Sequence, residues 1–91
     1  MAFKESLNTA VFTTRFVIEE NASILNVFHF DDGSWQFSGT EDNLSDEDFR
    51  VVSLGEIIEY DDSVVELSDM PINSEAKRLN RISPWRVSIK N

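Results

Sequence analysis

Cysteine is absent from this sequence, histidine and tyrosine occur once each, proline twice and glycine three times. The missing thiols exclude a disulfide framework, thiolate metal sites and cysteine nucleophiles together, and they fit a reducing compartment. His29 alone, with no cysteine, cannot supply the usual zinc ligand set. With glycine only at Gly33, Gly39 and Gly55, neither a Walker loop nor a dinucleotide fingerprint can be assembled. Long apolar runs are lacking as well. No segment approaches the roughly 20 residues of a membrane span, and Met1-Ala2-Phe3-Lys4-Glu5-Ser6 has no run of secretory length. The expectation is a cytoplasmic protein with no membrane partner.

Positive charge is the next scarcity. Seventeen acidic side chains stand against eight basic ones, a net charge of −9, which argues against a nucleic-acid backbone as the partner. Residues 31–69 contain thirteen acids and only Arg50 as a base, whereas residues 73–91 hold five bases against Glu75. An acidic surface serves solubility without any partner, so the imbalance alone assigns no function.

What the chain does have is apolar and aromatic bulk. It is 41% hydrophobic with seven Phe and two Trp, enough for 91 residues to bury one core without a metal, cofactor or disulfide. No repeat, low-complexity tract or linker divides it, so residues 1–91 are read as a single domain.

Ala10 to Ile18 reads as a first strand, with Phe12, Phe16 and Ile18 apolar at even positions. Asn21 and Ser23 supply a turn, and a second strand runs from Ile24 to Phe30. In "HFDDGSWQF" the pair Asp32-Gly33 suits a two-residue type I′ hairpin loop, since both residue types tolerate positive φ. That register pairs Phe30 with Trp35 and Phe28 with Phe37, placing four aromatics on one buried face. Gly39 to Arg50 reads as an acidic surface loop anchored by Leu44 and Phe49. Ser53 followed by Glu56 forms a capping box, with Val52 and Ile57 as a hydrophobic staple, and opens a helix over about 53–60 with Leu54, Ile57 and Ile58 on its apolar face. Asp61-Asp62 breaks it, and Ser63 with Glu66 repeats the spacing for a second short helix over 63–68. Glu75 to Leu79 is a further strand candidate, and Trp85 to Lys90 closes the chain with Trp85, Val87 and Ile89 on one face.

Chemistry is harder to find. His29 has no evident triad partners and reads as a hydrogen-bonded strand histidine. Glu41, Asp42, Asp46, Glu47 and Asp48 cluster as hard oxygen ligands would, but no window carries the alternating ligands, central glycine and terminal glutamate of an EF-hand loop. Asp31 and Asp32, adjacent on one strand end, would point to opposite faces, whereas a glycosidase-type acid/base pair must converge on one bond. No catalytic residue, cofactor site or metal site is assigned.

The stretch "DDGSWQFSG", followed by "VVSLGEIIEYDDSVVELSDMPINSEAKR" and the late Trp85, resembles a family of small bacterial domains of unknown function, some catalogued as immunity proteins of polymorphic toxin systems. The likeness covers residues 24–86 and is most specific at Gly33–Trp35, Ser53-Leu54 and Asp61-Asp62. Asp62 stands where the family pattern has proline, and Asn73 where it has glycine. The resemblance implies a non-catalytic protein that binds and blocks a toxin, and an acidic inhibitor would be steered electrostatically to a basic toxin domain.

The expected architecture is therefore α+β: an antiparallel sheet of four or five strands with two short helices packed on one face. The expected function is acidic protein binding, with toxin neutralisation first, a cytoplasmic adaptor or regulatory domain as the alternative, and a small carboxylate enzyme behind both. The partner-binding candidates are Asp31, Asp32, Glu41, Asp42, Asp46, Glu47 and Asp48.

Overall fold

A computed structural model describes residues 3–90. The chain runs β1 (Ala10–Thr14), α1 (Arg15–Glu20), β2 (Asn26–His29), β3 (Trp35–Ser38), a single 3₁₀ turn (Asp46–Asp48), β4 (Phe49–Ser53), α2 (Leu54–Tyr60), a 3₁₀ helix (Asp62–Leu67), β5 (Ser74–Lys77) and β6 (Arg86–Ile89). The strands form one six-stranded sheet in the order β4-β1-β3-β2-β5-β6. The class is α+β, but the sheet is mixed: β1 lies parallel to β3, and the other pairings are antiparallel.

Two segments account for the departure from the expected four or five antiparallel strands. Ala10–Ile18 is not one strand, because the chain turns helical at Arg15. Thr14 caps that helix by accepting from the Val17 amide, and Asn21 ends it in the left-handed region at φ 58, with the Ala22 amide donating to the Phe16 carbonyl. The helix carries the chain past the β3 position, so β2 enters beyond it and β3 returns beside β1 in parallel. The second segment is Phe49–Ser53, which pairs along the whole of β1 as an edge strand rather than ending a loop. Downstream, α2 has the expected capping box: the Glu56 amide donates to Ser53 Oγ at 3.1 Å and the Ser53 amide to Glu56 Oε1 at 3.2 Å. The next helical segment is 3₁₀ and is capped by Asp61, whose carboxylate accepts from the Ser63 amide and hydroxyl, in place of the expected cap at Ser63.

The β2–β3 hairpin differs from its expected register by one residue. Phe30 and Ser34 close the loop, with the Phe30 amide on the Ser34 carbonyl and the Gly33 amide on the Phe30 carbonyl, so Asp31, Asp32 and Gly33 form a three-residue connection. This is a tight turn over Asp31-Asp32 followed by Gly33 at φ 90, the bulged hairpin geometry. His29 therefore faces Trp35 and Val27 faces Phe37. A one-residue slip exchanges the faces of a whole strand. Trp35 and Phe37 enter the core, while Phe28 and Phe30 lie on the opposite face, so the expected aromatic quartet is split.

One face of the sheet is covered by α2 and the 3₁₀ helix. Leu54, Ile57, Val64 and Leu67 meet Val11, Val27, Trp35, Phe37 and Ala76 there, with Val17, Ile24 and Met70 completing the core. The residues before β1 add to this side: Phe3 packs edge-on against Trp35 with ring centroids 5.1 Å apart, and Glu5 accepts from the Trp35 indole at 2.9 Å. A Cβ at position 33 would meet no atom, so Gly33→Ala isolates the cost of the positive φ. We expect it to destabilise the fold by about 1 kcal/mol, read as a Tm lower by roughly 4–8 °C. An unchanged melt would mean that the loop does not require this conformation.

Candidate functional site

The strand pairings place the sequence-derived acidic candidates at opposite ends of the sheet. The Asp31-Asp32 tip lies where β3 begins. The 41–48 loop leaves the far end of β3 and enters β4 opposite Thr14. From the loop, Asp46 reaches a groove that it shares with Phe30, the residue before Asp31. Asp31 is exposed, and Asp32 Oδ1 accepts from the Ser34 hydroxyl at 2.7 Å and the Ser34 amide at 2.9 Å. These two donors, the hydroxyl first, hold the Asp32 carboxyl below the usual range. Such bonding is the chemistry of a turn aspartate.

In the loop, Asp42, Asp46 and Glu47 are exposed and Glu41 is half-buried. Asp48 is engaged locally: it accepts from the Ser45 amide at 3.0 Å and pairs with Arg15 Nε at 2.9 Å. The Ser45 amide first, then Arg15, hold its carboxyl low. Arg15 also reaches Glu20, and Arg50 reaches Glu19. These bases knit α1 to β4 and the loop. Sequence reading missed them, because the Arg15–Asp48 and Arg50–Glu19 partners are 33 and 31 residues apart and no local spacing relates them.

Between the two acidic ends lies the uncovered face of the sheet. Its central row runs Val51, Phe12, Gln36, Phe28, Glu75 and Ser88 across all six strands. Phe30 and Phe49 lie on the same face by alternation along their strands. Val51 is 63% exposed, Phe12 41% and Phe30 37%, while Phe28 and Phe49 are half-buried. Phe28 and Phe30 stack with centroids 5.9 Å apart. Phe12, Phe30, Gln36, Asp46 and Phe49 line a shallow groove of about 340 Å³, so the acidic loop borders the apolar face directly. Solvated sheet faces ordinarily carry polar side chains; Gln36, Glu75 and Ser88 do so here, whereas Val51, Phe12, Phe28, Phe30 and Phe49 make the β4–β1–β3–β2 part apolar.

Among the described residues Glu41 Oε1 and Ser68 Oγ are buried without a hydrogen-bond partner, whereas His29 and Asp61 are occupied structurally. His29 Nδ1 donates to the Met70 carbonyl at 2.9 Å, and its ring stacks on Trp35 with centroids 3.8 Å apart. Of the pair Asp61-Asp62 that breaks the helical pattern, Asp61 is buried against Arg78 at 2.7 Å, whereas Asp62 is exposed. Burial pushes the Asp61 carboxyl up, but the Ser63 hydroxyl and amide and the Arg78 guanidinium outweigh it and hold the group low. Among the described residues no three His, Asp or Glu side chains stand together as metal ligands, and no helix is long and apolar enough to cross a membrane.

No family model, curated protein or solved structure matches this chain.

Proposed function

We propose that the chain is a non-catalytic protein-binding domain acting in the cytoplasm, and that its partner is a basic toxin domain which it neutralises. The observation that carries the binding reading is the apolar open face built by Phe12, Phe28, Phe30, Phe49 and Val51 beside Asp46. Exposed apolar surface rimmed by charge is the usual composition of a protein docking site. The chain's net charge of −9 sets the sign of the complement: a partner with an apolar patch flanked by lysine or arginine. The toxin reading adds the family resemblance of residues 24–86. The exposed acids Asp31, Asp32, Asp42, Asp46 and Glu47, together with Glu41, act from the margins by steering approach. Asp48 is committed to Arg15 and contributes mainly field.

The test uses the product of a neighbouring reading frame that encodes a secreted toxin, expressed with and without this chain. Co-expression should restore growth, and the purified pair should associate more slowly as salt rises, because marginal charges act chiefly on the on-rate. Phe12→Ser with Val51→Ser should weaken the complex mainly through faster dissociation, and Asp46→Ser with Glu47→Ser should slow association. Absence of a complex, or a complex indifferent to both pairs of substitutions, would reject the proposal.

A further inference from the structure

A cleft whose character is the reverse of the acidic chain around it lies at the β5–β6 margin, on the open face of the sheet beyond the aromatic patch. It encloses about 510 Å³ and is walled by Leu79, Ser83 and Pro84 of the β5–β6 connection, with Asn26, Lys77 and Arg86 on the sheet side. The last three are consecutive neighbours across β2, β5 and β6, so their side chains share one face. Arg78 also borders the cleft, but its guanidinium is spent internally on the Ile24 carbonyl, Asp61, Ser63 and the Arg81 carbonyl.

Lys77 and Arg86 face each other directly across two strands, and like charges in that position destabilise a sheet. A charge on β6 is accounted for, because edge strands use charge to resist pairing with other chains. A second cation opposite it, on an inner strand, is not. Relief from nearby acids is slight: Glu75 Oε2 lies 3.9 Å from Lys77 Nζ while its other oxygen serves Lys90, and Arg86 has no acidic partner among the described residues. A repulsive pair at the mouth of a cleft with apolar walls is the arrangement that a bound anion would reconcile.

We propose that this cleft binds a small organic anion, with a carboxylate or phosphate group between Lys77 and Arg86 and an apolar body against Leu79 and Pro84. The cleft's volume falls within the range of small-molecule sites. Two charge-assisted contacts would fix the head group, Arg86 as a planar fork and Lys77 as a point charge. The site lies on the same open face as the aromatic patch, beyond Phe28 and Glu75, but it shares none of the residues that carry the docking reading.

The experiment is an amide-resolved NMR titration of the whole chain with phenyl phosphate, benzoate and inorganic phosphate, at constant ionic strength. Phenyl phosphate or benzoate should shift the amides of Asn26, Lys77, Leu79, Ser83 and Arg86 along saturating curves, and the tighter of the two identifies the head group. Inorganic phosphate should act on the same amides more weakly, lacking the apolar body. Lys77→Ser with Arg86→Ser should weaken binding by about tenfold or more, the loss of charge-assisted contacts. Both side chains are exposed, so the variant should keep its fold, and its spectrum checks that directly. Shifts that are diffuse and non-saturating for all three probes, or a double variant that binds as the parent does, would overturn the proposal.

Discussion

Asp61→Asn should destabilise the folded chain by about 3–5 kcal/mol, the usual consequence of removing one member of a buried ion pair. The size follows from what remains. Arg78 is almost fully buried, and its five N–H groups are all used: two on the Ile24 carbonyl, one each on Asp61 and Ser63, and one on the Arg81 carbonyl. Its guanidinium also lies 4.0 Å over the Trp85 ring. The substitution leaves that cation in place without its counter-charge, and it weakens the cap of the 3₁₀ helix by replacing a carboxylate with an amide. A domain of this size should then melt roughly 12 °C lower or more. The pH dependence has a definite sign. The folded chain holds the Asp61 carboxyl below the unfolded value near about 3.9, so on acidification the unfolded state takes up the proton first. The contribution is therefore complete above that value and is lost as pH falls through the folded one. The parent should lose stability over that interval more steeply than the Asn variant does. A variant melting within about 2 °C of the parent would show that the pair contributes little.

How far the sequence discloses this fold depends on the range over which each feature is decided. The α2 start was legible because Ser53, Glu56, Val52 and Ile57 decide it within six residues. The hairpin at Asp31-Asp32-Gly33 was legible as a turn, but not its register. A two-residue and a three-residue loop both place Gly33 at positive φ, and both faces of β2 are apolar, with Val27 on one and Phe28 and Phe30 on the other. Alternation cannot choose between such faces; burial under α2 does. The α1 helix was masked because Phe12, Phe16 and Ile18 imitate a strand period once Thr14 is passed over. Its own signals, Thr14 as cap and Asn21 as terminator, were present but short.

Asp31, Asp32, Asp42, Asp46 and Glu47 were legible as exposed residues, the partial burial of Glu41 and Asp48 was not, and neither was the placement of the two segments at opposite ends of β3. That placement depends on β1 lying parallel to β3, a consequence of the missed helix. The open face was hidden for a related reason. Phe12, Phe28 and Phe30 look like core in a linear reading, because nothing local says which side of a sheet the helices will cover. The Asp61–Arg78 pair was also out of reach, since its members are 17 residues apart with the 3₁₀ helix and β5 between them. Local rules can name Asp61 as a helix break; only packing makes it the counter-ion of a buried arginine.

Phe37→Ala and Phe30→Ala together test the hairpin register, and they should differ by several-fold. Phe37 is fully buried, with Trp35 and Phe3 rings 5.9 and 6.4 Å away, and the Thr13 hydroxyl donates to its carbonyl. Truncation there should cost about 3–5 kcal/mol, the cavity and transfer cost of a core phenylalanine. That is a large share of the roughly 5–15 kcal/mol that holds a small domain folded. Phe30 is 37% exposed and touches the core face nowhere, so its loss should cost about 1 kcal/mol, chiefly the stacking on Phe28. In the register with a two-residue loop, both phenylalanines would face the core and the two costs would be alike. Urea unfolding read with an unchanged m-value separates the cases. Equal losses would return Phe30 to the core and close the open face, whereas a small loss at Phe30 with a large one at Phe37 leaves the aromatic patch available to a partner at little cost to the fold.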